Sequence, residues 1–288
     1  MEHFFSQVNG VVSATAGYAN GNKENPTYKE VYTDTTGFAE TVEVCYDPER
    51  APLSTLLEYY FTIIDPLSLN RQGEDVGTRY RTGIYYTSDG DLPEIDAALQ
   101  KVQAQYPGQT VVVEKQPLRN FYPAEDYHQK YLDKNPDGYC HLPVKTFVYL
   151  RVYQEAKALL QGESDQVAKM AEIAALLQER LHFFWTGFYL VKGEELLIGP
   201  FQGPAACMHI PFGKGVCGTA WKEKKTIVVE DVEKFPGHIA CSSLSRSEIV
   251  VPVFDGSEVS AVLDIDSKEL SNFDGTDAAW LELIVRLL

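Results

Sequence analysis

No stretch of this 288-residue sequence is apolar for long enough to cross a bilayer as a helix, so no membrane partner is expected. Basic residues are in deficit: 25 Lys and Arg stand against 41 Asp and Glu, a formal net charge of -16. A surface of that sign repels a phosphate backbone, which argues against nucleic acid as a partner. Cysteine is sparse and odd in number, at five (Cys45, Cys140, Cys207, Cys217 and Cys241). That argues against a framework of structural disulfides but leaves catalytic thiols open. The opening residues, Met1 to Phe5, lack the basic and then apolar layout of a secretory leader, and a cytoplasmic location is the expectation. There is no internal repeat and no low-complexity linker. No metal, flavin or nicotinamide motif stands out, so no cofactor is expected.

What is present is an ordinary globular composition, 44% hydrophobic and 23% charged, with length for two cores. Residues 1–147 mix short alternating runs with helical ones. Thr41 to Tyr46, Arg79 to Tyr86 and Val111 to Glu114 read as strands. Leu53 to Ile64, ended by Asp65-Pro66, and the Pro-led run Leu92 to Gln105 read as helices. From Val148 the texture changes. Val152 to Leu160 and Val167 to Leu181 are helical, the second with Val167, Met170, Ala174, Leu177 and Leu181 on one face. Five strands follow, at Thr186 to Val191, Glu195 to Ile198, Thr226 to Val229, Ile249 to Phe254 and Ser260 to Ile265. Thr276 to Leu288 closes as a helix. Both halves are therefore read as α+β, divided at 147/148.

The densest chemical signal lies between Gly199 and Ser267. Cys207, Cys217 and Cys241 fall within 35 residues, spaced by ten and by twenty-four. Around them run Gly199-Pro200-Phe201-Gln202-Gly203, Gly213-Lys214-Gly215-Val216-Cys217-Gly218-Thr219-Ala220 and Phe235-Pro236-Gly237-His238-Ile239-Ala240-Cys241. Ser245-Arg246-Ser247-Glu248 and Leu263-Asp264-Ile265-Asp266-Ser267 complete the set. Three readings compete. Cysteines often act as small core hydrophobes. A zinc site fits poorly, because no Cys-x-x-Cys occurs and His209 and His238 match no usual ligand spacing. Redox chemistry fits better: a thiolate nucleophile needs a second thiol to resolve its sulfenic acid. Acidic Glu248, Asp264 and Asp266 suit an ammonium group or a leaving oxygen that must be protonated.

These motifs, with Trp185-Thr186-Gly187-Phe188-Tyr189, resemble the GAF-domain free methionine-(R)-sulfoxide reductases from about Tyr153 to the C-terminus. The resemblance implies an antiparallel sheet flanked by helices over residues 148–288. It implies that Cys241 attacks the sulfoxide sulfur, that Cys207 closes a disulfide with it, and that Cys217 is an auxiliary thiol. Glu248, Asp264 and Asp266 would line the pocket for the free amino acid, with Trp185 and Tyr189 against its methyl sulfoxide end. Ser242 stands where the family pattern has an Asp, which bears on substrate binding or thiol activation. GAF relatives without the cysteine set are ligand sensors, so a small-molecule sensor is the alternative.

Residues 1–147 resemble the class A peptide methionine-(S)-sulfoxide reductases, a two-layer α/β fold. The resemblance is carried by Gly17-Tyr18-Ala19-Asn20-Gly21, Asn25-Pro26-Thr27-Tyr28 and Thr36-Gly37-Phe38-Ala39-Glu40. Gln72-Gly73-Glu74-Asp75-Val76-Gly77-Thr78-Arg79-Tyr80-Arg81, Ala124 to Tyr131 and Asn135 to Cys140 extend it. It implies that Glu40 is the acid, that Tyr28 and Tyr80 hydrogen-bond the sulfoxide oxygen, that Asp75 shares their pocket, and that Cys140 resolves. Phe38 replaces a usual His. The family nucleophile sits in a Gly-Cys-Phe-Trp-Gly segment whose position falls ahead of Glu2. A truncated start is the preferred expectation over an inactive relic, and Cys45 is no substitute. Together the two halves imply reduction of both epimers of methionine sulfoxide, free or in oxidised proteins, with thioredoxin or a similar dithiol as the reductant.

Overall fold

The computed structural model describes residues 1–239 and 241–288; Ala240, within the Phe235 to Cys241 motif, lies outside the described residues. The chain forms two compact units, Met1–Pro143 and Val144–Leu288.

The first unit begins with α1 (Glu2–Phe5), β1 (Val11–Ala19), α2 (Tyr28–Val31), β2 (Ala39–Tyr46) and α3 (Leu53–Ile63). It continues through β3 (Arg71–Gln72), β4 (Asp75–Val76), β5 (Gly83–Tyr86), α4 (Leu92–Gln105), β6 (Glu114–Pro117), β7 (Phe121–Pro123) and α5 (Tyr131–Lys134). An antiparallel sheet of order β2-β1-β7 carries the centre, with the pairs β3-β4 and β5-β6 beside it. Leu56, Leu57, Tyr59 and Tyr60 of α3 are buried, at the helical spacing that gives one face to the core. The chain then turns extended at Ile64, two residues ahead of Pro66.

Two strand expectations shift here. Arg79 to Tyr86 is not one strand but a 3-10 turn at Thr78–Tyr80 followed by β5. The break has a cause: Arg79 is buried and donates to Asp34 at 2.8 Å, and that inward reach replaces ladder pairing. Val111 to Glu114 is extended, but ladder pairing starts only at Glu114, where β6 meets β5 in parallel at Gly83. β1 has no periodic signature in sequence. Its Gly17 is needed because a Cβ there would lie 2.4 Å from the Phe121 ring.

The second unit runs α6 (Val144–Leu159), α7 (Gln166–Leu181), β8 (Trp185–Lys192), β9 (Glu195–Gln202), β10 (His209–Pro211), α8 (Gly215–Glu223), β11 (Ile227–Val229), β12 (Ser247–Asp255), β13 (Glu258–Ser267) and α9 (Gly275–Val285). Six antiparallel strands form one sheet of order β10-β9-β8-β13-β12-β11. Helix α7 is capped by Asp165, whose side chain accepts from the Ala168 amide, and ends where His182 turns left-handed. Its buried face is Met170, Ile173, Ala174 and Leu177; Val167 is exposed, because the core-facing stripe centres one turn further on. Asp274 and Asp277 form a capping box on α9, and Lys145 of α6 pairs with both at 2.7 and 2.6 Å. Tyr149 also donates to Asp277, and its ring stacks on fully buried Trp280. The first and last helices of the unit, α6 and α9, are thus joined by burial and by one ion cluster.

Gly187, in the middle of β8, holds open the space that Trp185 occupies. A Cβ there would lie 2.4 Å from the Phe201 Cβ and 2.6 Å from the Trp185 ring. Overpacking of this kind costs about 1–3 kcal/mol. Gly187→Ala is therefore expected to lower the unfolding free energy of the second unit by that amount, read from a fall in its denaturant midpoint, and an unchanged midpoint would contradict the packing described.

Candidate functional site

Strand alternation builds the floor of a pocket in the second unit. Side chains two apart on a strand share a face, and neighbouring strands align them in rows. Asp266 pairs with Trp185 on one side and Glu248 on the other; Asp264 pairs with Gly187 and Val250. Glu248, Asp264, Asp266, Trp185 and Tyr189 therefore face the same way, while Leu263 and Ile265 are fully buried on the opposite face. Trp185 lies over Gly187 and stacks on both Tyr189 and Phe201, with ring centroids 5.9 and 5.4 Å apart. Its indole N–H donates to the Pro204 carbonyl at 3.0 Å, and the Tyr189 hydroxyl donates to the Cys207 carbonyl at 3.0 Å. Those two bonds hold the segment that carries Cys207 over the floor.

The three cysteines divide. Cys207 and Cys241 are joined in a disulfide, with Cα atoms 5.3 Å apart, between two loops far apart in sequence. Cys217 is a free thiol inside α8, buried, and donates to Glu248 Oε1 at 3.9 Å. Cys217, Cys241, Glu248, Asp264, Asp266, Trp185 and Tyr189 all line one pocket. Ser242, beside Cys241, lines it too and uses its hydroxyl to accept from the Leu244 amide.

Burial governs the electrostatics of that floor. Desolvation, then repulsion from Asp264 and Asp266, pushes Glu248 well above the usual carboxylate range. Asp264 is raised in the same way, by desolvation and by Asp266. Asp266 rises to about 6, again by desolvation, against a hydrogen bond from Ser245 that lowers it. Desolvation, with Asp264 and Glu248 nearby, also pushes the Cys217 thiol up. Three carboxyl groups this close repel one another when ionised, so burial and repulsion together favour the protonated forms of Glu248 and Asp264. Sequence reading passed over Ser245, which is buried against Asp266, and gave no role to His238, whose Nε2 lies 3.9 Å from Glu248 Oε2. No periodic signal marks either residue, because both come from the irregular loop ahead of β12.

In the first unit, Glu40 near the start of β2 is the centre of a second polar cluster. Desolvation raises its pKa to about 7, against the lowering effect of Arg79; Asp75 raises it further and a hydrogen bond from Tyr80 lowers it. Tyr28 is raised mainly by burial and then by Glu40, and Tyr80 is pushed up to about 12 by burial. Glu40, Tyr28, Tyr80 and Asp75 thus share one electrostatic neighbourhood. Arg79 had no assigned role in sequence. Its guanidinium lies 3.8 Å from Glu40, bonds Asp34 at 2.8 Å, and sits over the rings of Tyr32 and Tyr80. Tyr139 donates to Asp75 at 3.4 Å, which brings the segment holding Cys140 toward the same cluster. Cys140 is half-buried and its sulfur accepts from the Leu142 amide. Cys45 is exposed on β2, opposite Ser13. Phe38 fills the core beside Glu40, fully buried against Gly21 and Tyr122.

The folded pKa of Glu40, about 7, lies above its ordinary 4.5, so the native state holds this proton more tightly than the unfolded one. Its contribution to stability is present at low pH and is lost as pH rises through about 7. Glu40→Gln is expected to flatten the fall in stability of the first unit between pH about 4.5 and about 7, read from unfolding midpoints. An identical pH profile in the variant would refute the shift.

A family model for peptide methionine sulfoxide reductase matches residues 1–158, and one for the GAF domain matches residues 167–288. The peptide methionine sulfoxide reductase MsrA of Clostridium perfringens is 54% identical over 142 residues, covering 49% of this chain and 90% of that protein. The GAF domain-containing protein A of Dictyostelium discoideum is 52% identical over 141 residues, covering 49% of this chain and 89% of its own length. Among solved structures, free methionine-R-sulfoxide reductase from Neisseria meningitidis, in complex with its substrate, is 49% identical with a TM-score of 0.50. The match covers 50% of this chain and 88% of that one. The chain belongs to the peptide methionine sulfoxide reductase family in its first half and continues into a GAF domain in its second.

Proposed function

We propose that the second unit reduces free methionine-(R)-sulfoxide by thiol chemistry. One observation carries the reading: a Cys207–Cys241 disulfide stands at a pocket whose floor holds two buried carboxyl groups, Glu248 and Asp264, with half-buried Asp266 beside them. The reaction needs those two features. Oxide is a very poor leaving group, so the sulfoxide oxygen must take up protons as the thiolate attacks sulfur. In the reduced enzyme Cys241 is the nucleophile. Its sulfur takes the oxygen, the substrate leaves as methionine, and Cys241 becomes a sulfenic acid. Cys207 then attacks that sulfenic acid, water departs, and the disulfide forms. A dithiol such as thioredoxin restores both thiols and is itself oxidised.

The carboxyl groups serve both ends of the substrate. Ionised, they hold the ammonium; protonated, they supply the proton that the departing oxygen needs. Desolvation and mutual repulsion raise Glu248 and Asp264 well above the usual carboxylate range, and desolvation raises Asp266 to about 6. Trp185 and Tyr189 present a flat apolar wall that suits the methyl group. Cys217 is the auxiliary thiol. A pocket that fixes methyl, oxygen and lone pair accepts one hand of the sulfoxide only.

For the first unit we propose the matching (S)-specific role, on free or protein-bound methionine sulfoxide. Glu40 is the acid, Tyr28 and Tyr80 bind the oxygen, Asp75 shares the pocket, and Cys140 resolves. On this reading the unit boundary at Pro143/Val144 separates two reductases of opposite hand.

The test is incubation of the chain with racemic methionine sulfoxide and a dithiol, with the surviving epimers resolved by chiral chromatography. Loss of the R epimer is expected, and Cys241→Ser is expected to stop it. Asp264→Asn is expected to lower kcat/KM by roughly 10²–10⁴-fold, the scale of a lost acid-base group. Persistence of both epimers would overturn the reading of the second unit and favour a sensor. Disappearance of the S epimer would identify Cys45 or Cys140 as a nucleophile.

A further inference from the structure

The pocket floor carries a thiol that an ammonium does not need. Cys217 is buried, outside the disulfide, and directed at Glu248 Oε1 from 3.9 Å. Donor atoms of Cys217, Glu248 and Asp264 all lie within 4.8 Å of one another, and all three residues are buried. Within that cluster Asp264 Oδ1 is buried without a hydrogen bond of its own among the described residues, while the Asp264 carboxyl as a whole interacts only with Cys217, Glu248 and Asp266 among the groups that shift it. His238 stands at the edge, its Nε2 3.9 Å from the other oxygen of Glu248.

We propose that Cys217, Glu248 and Asp264 form a three-donor site for a zinc-class divalent cation, and that the bound ion excludes the amino-acid substrate. The Cys217–Glu248 edge is close to what such an ion requires. Metal–sulfur and metal–oxygen bonds of about 2.3 and 2.1 Å put tetrahedral sulfur–oxygen edges near 3.5 Å. The observed edge of 3.9 Å closes to that with a shift of a few tenths of an ångström. Donor chemistry decides which ion. One thiolate with two carboxylates favours borderline ions such as Zn²⁺ or Co²⁺ over Mg²⁺, which prefers oxygen and water. Each donor that is protonated in the empty pocket gives its proton to water as the ion enters. The ligands come from α8, β12 and β13, so no spacing rule along the chain would find them.

Because the ion and the substrate ammonium would use the same carboxylates, their binding is mutually exclusive. That second half of the inference rests on the function proposed above; the cation site itself does not. The consequence is reversible inhibition: a rise in free zinc shuts the pocket, and chelation opens it without any change in the Cys207–Cys241 disulfide.

The experiment uses the full chain in its oxidised form, where Cys207 and Cys241 cannot ligate, with Cys45→Ser and Cys140→Ser to silence the other thiols. Titration with Co²⁺ alone is expected to give one equivalent of a sulfur-to-cobalt charge-transfer band. Zn²⁺ should remove the band and Mg²⁺ should not. Cys217→Ser is expected to abolish it, and Asp264→Asn to weaken binding by at least the roughly tenfold that loss of even an outer-shell partner costs. Near-ultraviolet circular dichroism from the aromatic rings verifies folding, and Cys217→Ala serves should the serine variant unfold. Absence of the band, or its survival in a folded Cys217 variant, would overturn the cation site. Free methionine sulfoxide is expected to displace Co²⁺ competitively. A band that the substrate leaves untouched would overturn the exclusion and keep the metal site. A band in a protein that turns over neither epimer would leave the site standing and remove the proposed reaction.

Discussion

Everything in the second unit depends on keeping Glu248 and Asp264 out of water, with half-buried Asp266 beside them, on one face of an antiparallel sheet. Glu248, Asp264 and Asp266 occupy adjacent positions on β12 and β13, where apolar side chains would pack at no electrostatic cost. A single buried carboxylate is expensive, and three in contact are more so unless protons or a cation offset the charge. The rest of the unit supports that arrangement. Helices α6, α7 and α9 close the opposite face, Gly187 gives up its side chain so that Trp185 can wall the pocket, and the loops bearing Cys207 and Cys241 are tied across its mouth. A strained electrostatic floor on a rigid sheet is the arrangement expected where charge or protons must move during use.

The first unit meets a related problem with a different solution. Glu40 is also raised by burial, but an arginine is built in beside it. Arg79 is itself held by Asp34 and by two tyrosine rings, so its charge stays fixed while Glu40 takes up or loses a proton. One unit thus tunes its acid with a cation from the protein, whereas the other leaves its carboxyls to be balanced by protons or by what binds.

Particular residues show how far the linear sequence reached. Helix Leu92–Gln105 and the strands about Val191, Phe254 and Ile265 were legible because a repeating pattern of burial writes itself into residue type. The sets Glu40, Tyr28, Tyr80, Asp75 and Cys207, Cys217, Cys241 were legible only through long motifs in a recognisable order, since each residue alone is ordinary. Strand β1 escaped, because Ser13, Ala14, Ala16 and Gly17 are small residues without alternation, and at Gly17 the Phe121 ring fills the place of a side chain.

The sequence by itself determined the division of the chain into two α+β units, most helices and strands, and the residue types available for sulfur chemistry. These follow from periodicity, capping and composition, which are local. Only the tertiary structure decided which side chains share a desolvated space. The sheet register puts Glu248 next to Asp266, α8 places the Cys217 thiol against Glu248, and the turn at Thr78–Tyr80 drives Arg79 toward Glu40. Protonation, hydrogen bonding and ligand capacity at these groups depend on distances across elements remote in the chain. No local pattern encodes such distances, and so the shifted acids, the position of Arg79 and the Cys217–Glu248–Asp264 cluster emerged only from the fold.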